Sequence, residues 1–328
     1  MARKHIDVVV SAVRRLTPRV REYHLTAIDN SPVPAYGPGA HIEVHTGSQQ
    51  TGLIVRHYSL IGGTEDADDA RNTYRIAVQR EDDRGGGSAY IHSAFEVGTR
   101  LQVSAPVNNF PLDRRDAHSL LIAGGIGITP IYSMARSLAR RQRDFTVVYA
   151  GRAPEFMAYR EELGRLAGSR ARFHFSGGQD AGKLDLGALL KHQPPGTTAY
   201  VCGPGTMVAA THEASRSAGW APEQVRSESF GAGPQGDEVP FDVELRQSGR
   251  VIRVGKDVSI LDALTAAKVD VLWDCRRGEC GLCPQTVLAT DGPIQHRDRY
   301  LSDEERESGE TMCICVSRIR GERLVLDV

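Results

Sequence analysis

Hydrophobic and polar residues alternate in short runs over the first third of the chain, and turn-forming residues separate the runs. Six of the runs have the period of two that is typical of half-buried β-strands. They lie at residues 5–10, 22–25, 41–44, 56–60, 74–78 and 100–103. Because helical periodicity is almost absent here, the pattern predicts a six-stranded antiparallel β-barrel over residues 1–112.

From residue 113 onward, strands alternate with helices. Residues 119–123 form a continuous apolar run, and a helical pattern follows to about residue 141. Further strands are predicted at 145–149, 172–175, 198–201 and 225–230, with a helix over 155–166. Repeated strand–helix–strand units indicate a parallel sheet with helices on both faces, here over residues 113–230.

The remainder of the chain follows a glycine-rich stretch, residues 231–239, whose composition is that of a linker. Strands at 241–245 and 251–254 predict a hairpin, a helix follows over 260–267, and residues 323–328 form a last strand. This order predicts a separate small domain over residues 240–328.

Three cysteines of this small domain, Cys275, Cys280 and Cys283, have the spacing C-x4-C-x2-C. With one further thiolate, from Cys313 or Cys315, the spacing is typical of a plant-type [2Fe–2S] cluster. The order of strands, helix and cysteine loop therefore predicts a ferredoxin-like domain with a β-grasp fold.

Two glycines of the cysteine loop support this interpretation. Gly278 and Gly281 stand where a loop wrapped around a cluster needs a left-handed or tightly curled backbone. A structural zinc site is the main alternative, although zinc favours close cysteine pairs on both sides. Disulfides between the cysteines are a second alternative, but they would suit an exported protein, and nothing in the sequence marks this chain as exported.

Composition narrows the class of protein. The chain has 328 residues, a net charge of −1, 40% hydrophobic and 25% charged residues. This balance does not favour a nucleic-acid partner. The first residues do not have the pattern of a secretory signal, and no run reaches the roughly 18 apolar residues of a membrane span. We therefore expect a cytoplasmic protein of two or three domains that does not bind membranes.

Two patches of the predicted barrel have polar chemistry. Arg56, Tyr58 and Ser59 bring a guanidinium, a phenol and a hydroxyl to one strand, which Leu60 ends. The run Gly85-Gly86-Gly87-Ser88 precedes a helix predicted near Ala89, where bare backbone N–H groups would suit a phosphate. Taken alone, an exposed strand and a flexible loop are the more ordinary explanations.

A glycine-rich turn, Gly124 to Pro130, follows the first strand of the parallel sheet. At this place a dinucleotide would lie, with Thr129 capping the next helix and Pro130 in its first turn. The turn is not the G-x-G-x-x-G fingerprint, since Pro130 occupies the third glycine position. Cys202-Gly203-Pro204 ends a later strand on the same edge, and Cys202 alone would be taken as a buried apolar residue.

Taken together, these motifs resemble the phthalate dioxygenase reductase family, and the reductases of vanillate demethylase and carnitine monooxygenase look nearest. The resemblance covers nearly the whole chain. Its motifs are Arg56-x-Tyr58-Ser59-Leu60, Gly86-Gly87-Ser88, Gly124-Gly125-x-Gly127-x-Thr129-Pro130, Cys202-Gly203-Pro204, Glu228-Ser229-Phe230, the three-cysteine loop, His296-Arg297-Asp298 and Cys315-Val316-Ser317-Arg318.

The resemblance implies FMN in the barrel, NADH on a parallel sheet of the ferredoxin-reductase type, and the cluster at the C-terminus. It implies that Arg56 and the Gly86-Gly87-Ser88 run hold the FMN phosphate and that Tyr58 and Ser59 contact the ring. It further implies a flavin-lining set, Leu60, Ile76, Ala77 and Val78, and a nucleotide-binding set, Gly125, Gly127, Thr129, Pro130, Cys202, Gly203 and Pro204. Phe230 corresponds to an aromatic residue near the flavin ring, and Cys202 becomes a neighbour of the hydride path.

Two details stay open at this stage. The family's fourth cluster ligand corresponds to Cys315, but Cys313 is also available, and residues two apart on a strand face the same way. No acidic residue ends the second strand of the sheet, and Arg152 just beyond it could accommodate a 2′-phosphate. The family mostly prefers NADH, which we therefore expect.

The resemblance implies a monomeric reductase that passes electrons from NADH through FMN and the cluster to a Rieske-type oxygenase. No side chain is needed as a general acid or base, because the cofactors carry the redox chemistry. A thiolate-haem monooxygenase is an alternative acceptor. A redox-sensing iron–sulfur protein is an alternative of a different class.

Overall fold

The computed structural model describes residues 5–46, 54–63, 71–81, 87–177, 182–230, 238–256, 258–274, 276, 278, 280–298 and 300–328. The chain divides into two compact units, Met1–Ser229 and Phe230–Val328. Within the described ranges, no helix is both long enough and apolar enough to cross a membrane.

The first sheet of the Met1–Ser229 unit is antiparallel throughout and has six strands, as the alternating pattern predicts. They are β1 (His5–Arg15), β2 (Val20–Ala27), β3 (His41–Thr46), β4 (Ile54–Ser59), β5 (Thr73–Gln79) and β6 (Arg100–Ser104). Their order is β4-β3-β6-β1-β2-β5, and a bridge between Leu60 and Ile76 joins the two outer strands. The sheet is thereby closed into a barrel, with helix α1 (Gly87–Ala94) between β5 and β6 in the chain.

Apolar side chains at alternate strand positions fill the barrel. Tyr23, Leu25, Ile42, Tyr74 and Ile76 are fully buried in one cluster. Burying a large apolar side chain contributes roughly 1.5–3 kcal/mol, so the period-two pattern determines which face of each strand turns inward.

The second sheet of this unit is parallel and has five strands. The elements in chain order are β7 (His118–Gly124), α2 (Ile128–Arg140), β8 (Phe145–Gly151), α3 (Arg160–Ala167), β9 (Ala171–Phe175), α4 (Leu186–Lys191), β10 (Thr197–Gly203), α5 (Gly205–Ser217) and β11 (Val225–Ser229). The spatial order is β11-β10-β7-β8-β9. Every residue of β7 and β10 is buried, which explains their continuous apolar runs.

The strand order contains a topological switch point. From β7 the chain builds outward through β8 and β9, and it then returns to place β10 on the other side of β7. In open α/β sheets, ligands bind beyond the carboxyl ends of the strands at this kind of position.

The Phe230–Val328 unit has a five-stranded sheet with its own core. Its elements are β12 (Phe241–Leu245), β13 (Val251–Val254), α6 (Ile260–Ala266), β14 (Pro284–Thr290), β15 (Ile294–Gln295), α7 (Asp303–Ser308), β16 (Thr311–Cys313), β17 (Arg318–Ile319) and β18 (Arg323–Leu326). The order is β13-β12-β18-β14-β16, with β12 and β18 parallel and a separate β15–β17 pair. Leu261 and Leu264 of α6 belong to the same buried cluster as Phe241 and Leu324 of the sheet.

Some boundaries differ from those that the sequence predicts. The helix predicted over 155–166 is a short 3-10 turn, Pro154–Phe156, followed by α3, because Tyr159 has φ of +59° and interrupts the helix. The strand predicted over 225–230 ends at Ser229. At the end of the predicted linker, Glu238 pairs with Arg318 at 2.8 Å, and residues 231–237 lie outside the described ranges.

Candidate functional site

The glycine turn lies at the switch point, as predicted. Gly125–Gly127 form a 3-10 turn directly after β7, and α2 begins at Ile128. Gly125 has φ of +55°, a conformation that costs little only for glycine, and the space beside it is open. Tyr149 donates a hydrogen bond of 3.1 Å to the Gly125 carbonyl, which holds the turn in place.

The turn packs directly on the end of β10. A Cβ atom on Gly127 would lie 2.2 Å from the Cys202 carbonyl oxygen, and one on Gly203 would lie 3.1 Å from the Gly124 Cα. The structure therefore brings together Gly125, Gly127, Cys202, Gly203 and Pro204, the predicted centre of the nucleotide site. At this edge α2 and α5 both begin, and helix N-termini attract phosphate.

Thr129 does not have the predicted capping role. The capping position of α2 is Gly127, without a side-chain cap, and the Thr129 hydroxyl instead donates to the Ile126 carbonyl at 3.0 Å. Thr129 is buried in the first turn, so its hydroxyl is used inside the turn. Pro130 lies in the first turn of α2, as predicted.

Arg152 follows β8 directly and is exposed. Its carbonyl accepts a hydrogen bond of 2.9 Å from the Gly177 backbone N–H. The backbone at Arg152 is therefore held while the side chain faces solvent. Its role at a 2′-phosphate, and the preference for NADH, remain predictions.

On the barrel, Arg56 lies against the start of helix α1. A Cβ atom on Gly87 would be 2.8 Å from the Arg56 Nε and 3.3 Å from its Cζ, so only glycine lets the guanidinium approach this backbone. A guanidinium beside the first residues of a helix provides charge and N–H donors for one phosphate. The predicted phosphate-binding residues Arg56 and Gly87 are thus adjacent, whereas Gly86 lies outside the described residues.

Ser88 is already engaged with the backbone. Its Oγ accepts from the Glu81 N–H at 3.0 Å and donates to the Glu81 carbonyl at 3.4 Å. The Ser88 backbone N–H, within the first turn of α1, is the group of this residue that suits a phosphate.

The strand residues near Arg56 divide between the barrel core and its surface. Tyr58 packs against the core cluster, and burial raises the pKa of its phenol, which stays neutral. The buried Ser59 Oγ has no hydrogen-bond partner among the described residues, as expected of a hydroxyl that awaits a ligand. Leu60 is fully buried.

Strand β5 carries the three residues that are predicted to line the flavin, Ile76, Ala77 and Val78. The side chains of Ile76 and Val78 lie in the barrel core. Ala77 alternates with them and is buried outside that cluster. A ring lying on this strand would therefore contact Ala77 and the backbone of its neighbours.

In the second unit, Cys283 lies near the thiols of Cys313 and Cys315. Its Sγ lies 3.1 Å from the Sγ of Cys315, and the nearby thiols of Cys313 and Cys315 lower its pKa to about 4. Thiolate is the form that binds iron. Two ligands of one tetrahedral metal with metal–sulfur bonds of about 2.3 Å stand about 3.8 Å apart, so the pair is close enough to share an iron.

Of the other two predicted ligands, Cys280 is among the described residues and Cys275 is not. Cys280 is partly exposed three residues before Cys283, and Cys275 lies outside the described residues. In the described part of the chain, no three metal-binding side chains converge on one point. In a two-iron cluster each iron is bound by two of the four thiolates. The close pair of Cys283 and Cys315 fits this arrangement.

The loop glycines behave as the sequence predicts. Gly278 has φ of +73° and Gly281 has φ of +71°. A Cβ atom would lie 2.7 Å from the Asp298 Cα at Gly278 and 2.1 Å from the Tyr300 ring at Gly281. Both positions require glycine for conformation and for space.

Cys313 and Cys315 are not two residues of one strand. Strand β16 ends at Cys313, and Cys315 lies in the turn that follows. Alternation along a strand therefore does not decide between them, and both remain close to Cys283. Cys313 is completely enclosed and Cys315 is 6% exposed.

Phe230 directly follows β11 and is partly exposed. Its position near the flavin ring remains a prediction, because Phe230 begins the second compact unit.

Sequence reasoning missed a group of polar residues that join the barrel to the parallel sheet. They are Glu22, Tyr132, Ser133 and Tyr159. Glu22 and Tyr159 are 137 positions apart, and no local motif connects them. The one signal in the sequence that could have indicated this group is Glu22 itself, a carboxylate within the strand β2.

Two domain-family models match the chain. The oxidoreductase NAD-binding domain matches residues 121–213, and the 2Fe-2S iron-sulfur cluster binding domain matches residues 243–320. A solved structure of phthalate dioxygenase reductase, described as modular for electron transfer from pyridine nucleotides to [2Fe-2S], is 32% identical with a TM-score of 0.82. The match covers 99% of this chain and 98% of that one. The chain belongs to the phthalate dioxygenase reductase family.

Other relatives of this reductase agree with the assignment. The heme-dependent oxidative N-demethylase beta subunit of Ectopseudomonas mendocina (strain ymp) is 40% identical over 98% of this chain and 99% of the relative. The vanillate O-demethylase oxidoreductase of Pseudomonas sp. (strain HR199 / DSM 7063) is 36% identical over 98% of this chain and 100% of the relative. The reductase is thus an oxidoreductase with NAD-binding and 2Fe-2S domains, and the predicted fold class is confirmed.

Proposed function

We propose that this chain is the NADH-dependent reductase component of an oxygenase system and passes electrons through FMN and a [2Fe–2S] cluster to a Rieske-type oxygenase. The observation that carries the proposal is the packing of the Gly127 turn on Cys202 at the switch point, in the same compact unit as the Arg56–Gly87 contact. A nucleotide edge and a phosphate-binding corner are thereby built into one folded unit.

In this proposal the chain's residues bind and orient, and none acts as an acid or base. Arg56 and the backbone of Gly87 and Ser88 hold the FMN phosphate, while Tyr58 and Ser59 meet its ring. The Gly125–Gly127 turn and the Gly203-Pro204 pair accept the nucleotide pyrophosphate. Bound FMN would supply the exchange between a two-electron hydride and the single electrons that a [2Fe–2S] cluster accepts.

Cys202 and Phe230 have a different role in the proposal. Cys202, next to Gly203 at the end of β10, would be a neighbour of the hydride path, and Phe230 would be the aromatic residue near the flavin ring.

In the second unit, Cys275, Cys280, Cys283 and Cys315 would hold the cluster. The 3.1 Å distance between the Sγ atoms of Cys283 and Cys315 and the two required glycines support this donor set. Because these thiols must stay reduced, we place the protein in the cytoplasm, as a monomer that meets its partner briefly.

Two chemical classes of acceptor are to be compared, Rieske-type oxygenases and haem oxygenases. The vanillate O-demethylase relative motivates the Rieske-type proposal, and the N-demethylase relative is named as heme-dependent, which favours haem as the second candidate. Pairing the purified reductase with candidate oxygenases of both classes, and measuring NADH-dependent substrate turnover, separates them. Turnover with haem partners alone would overturn the Rieske assignment.

The reductase activity itself has a direct test. NADH added without oxygen should bleach a flavin band at about 450 nm, and added cytochrome c should then be reduced. A redox sensor would show the cluster's absorption without turnover. Cys280→Ser should abolish cytochrome c reduction but leave flavin reduction by NADH intact, and loss of both would contradict the proposed order of electron flow.

A further inference from the structure

Helix α2 is fastened to the barrel through a buried serine. The Ser133 Oγ lies 2.7 Å from the Leu60 carbonyl, to which it donates, and it accepts from the Gly62 N–H at 3.0 Å. Ser133 is 1% exposed, so water does not compete for either bond. Leu60 directly follows Ser59, the end of β4, and Gly62 comes two residues after Leu60.

The residue before Ser133 leads to a second attachment. The ring of Tyr132 stacks on that of Tyr159, with centroids 4.9 Å apart and planes at 16°. Tyr159 is held at φ of +59° and is 3% exposed, and its hydroxyl donates to Glu22 Oε2 at 2.6 Å. This backbone conformation is unfavourable for a tyrosine, and the surrounding contacts must offset its cost.

Glu22 is a rigid acceptor for this hydroxyl. It is 2% exposed on β2, and its other oxygen is 3.1 Å from His24 Nε2 and 3.3 Å from Arg14 Nε. Burial would raise the pKa of Glu22, but these hydrogen bonds and the Arg14 charge outweigh it and lower the pKa to about 2. The carboxylate is therefore charged and held from two sides.

Both attachments reach the barrel next to the proposed flavin site. Ser133 holds the end of β4, beyond Tyr58 and Ser59, and Glu22 is paired across the strands with Ala77 of β5. The same helix begins at the glycine turn of the nucleotide edge. One helix, α2, thus joins the two proposed cofactor sites.

We propose that Ser133 and Tyr159, with Tyr132 and Glu22 as their partners, are positioning residues that set the distance between the nicotinamide and the flavin ring. The inference rests on the proposed function and deepens it. None of the four residues is a catalytic residue, because they act through α2 and the strands that they hold.

A positioning role has a large expected effect on rate. Hydride transfer needs reacting atoms about 3–3.5 Å apart, and a displacement of about 1 Å can cost about 100-fold in rate. Loss of one attachment would let α2 shift relative to β4 and β5, while each cofactor would keep its own binding residues. We therefore expect the rate of the chemical step to change and binding to persist.

The experiment compares Ser133→Ala and Tyr159→Phe with two matched controls in the full-length, FMN-loaded protein. Ser137→Ala removes a hydroxyl from the same buried helix that makes no hydrogen bond to the barrel among the described residues. Tyr200→Phe removes a buried phenol that bonds to Asp116, within the parallel-sheet half. The rate of flavin reduction is measured in a single turnover. The measurement is made once with ordinary NADH and once with NADH that carries deuterium in place of the transferred hydrogen.

In both test variants we expect flavin content and the NADH concentration for half-saturation to change less than twofold, while the limiting rate falls about tenfold and shows a deuterium isotope effect. The controls should keep the wild-type rate. Glu22→Gln, which preserves the shape of the side chain, should slow the same step.

Equal limiting rates in test and control variants, with only a lower melting temperature in the test variants, would overturn the positioning role. A rate loss through weakened NADH binding alone would overturn it too. Failure of wild-type protein to reduce its flavin with NADH would instead refute the proposed function, so the two failures are distinguishable.

Discussion

Gly127 is the position where the smallest change should most disturb the nucleotide edge. Gly127 has φ of −60°, which alanine adopts without strain, so the backbone conformation alone would tolerate Gly127→Ala. The obstacle is space, because the new Cβ atom would lie 2.2 Å from the Cys202 carbonyl oxygen and 2.8 Å from the Gly203 nitrogen. Both neighbours are backbone atoms of a buried strand and cannot rotate away.

The size of the effect follows from these distances. Relief of the overlap requires the turn and the end of β10 to separate by about 1 Å, since favourable non-bonded contacts lie near 3.5 Å. Inserting one methyl group into a packed region costs typically 1–3 kcal/mol of stability. A displacement of this size at a reacting centre costs up to about 100-fold in rate. We expect Gly127→Ala to fold with reduced stability and to lose most NADH-dependent activity.

Gly182→Ala is the matched control, because a Cβ atom there has no neighbour within 4 Å. Denaturant unfolding gives the change in stability, and NADH-dependent cytochrome c reduction gives kcat and KM. Gly127→Ala should raise KM for NADH and lower kcat/KM, while the control matches the wild type. If both variants behave alike, the close packing of the turn on Cys202 does not matter for nucleotide use.

Three further predictions concern other parts of the molecule. The pKa of Glu22 is lowered from 4.5 to about 2, so its stabilisation is present above pH 4.5 and lost as pH falls toward 2. The difference in unfolding free energy between wild type and Glu22→Gln, measured from pH 7 to pH 3, should therefore shrink with acidity; a constant difference would contradict the shift. Arg56→Ala should weaken FMN retention at least about tenfold, because a charge-assisted hydrogen bond contributes roughly 1.5–3 kcal/mol, whereas Arg100→Ala on the same barrel should not. Cys315→Ser should lose iron on purification and Cys313→Ser should retain it, and the opposite iron contents would make Cys313 the fourth ligand.

Several features of this protein could be predicted from the sequence alone because short-range physical constraints determine them. The alternation of polar and apolar side chains made the barrel strands predictable, and continuous apolar runs made the buried strands β7 and β10 predictable. Positive φ at Gly278 and Gly281 was predictable, because a loop around a cluster requires it. The spacing of Cys275, Cys280 and Cys283 indicated a plant-type [2Fe–2S] cluster, because the cluster requires thiolates at these short separations along one loop.

Only the tertiary structure decided which distant residues meet. The overlap at Gly127 depends on a carbonyl 75 positions away at Cys202, and the Glu22–Tyr159 bond spans 137 positions. The role of Thr129 was mistaken because its hydroxyl had a nearer acceptor, the Ile126 carbonyl. Sequence patterns report what a residue needs locally, whereas contacts across the chain depend on how strands and helices pack, which no single stretch encodes.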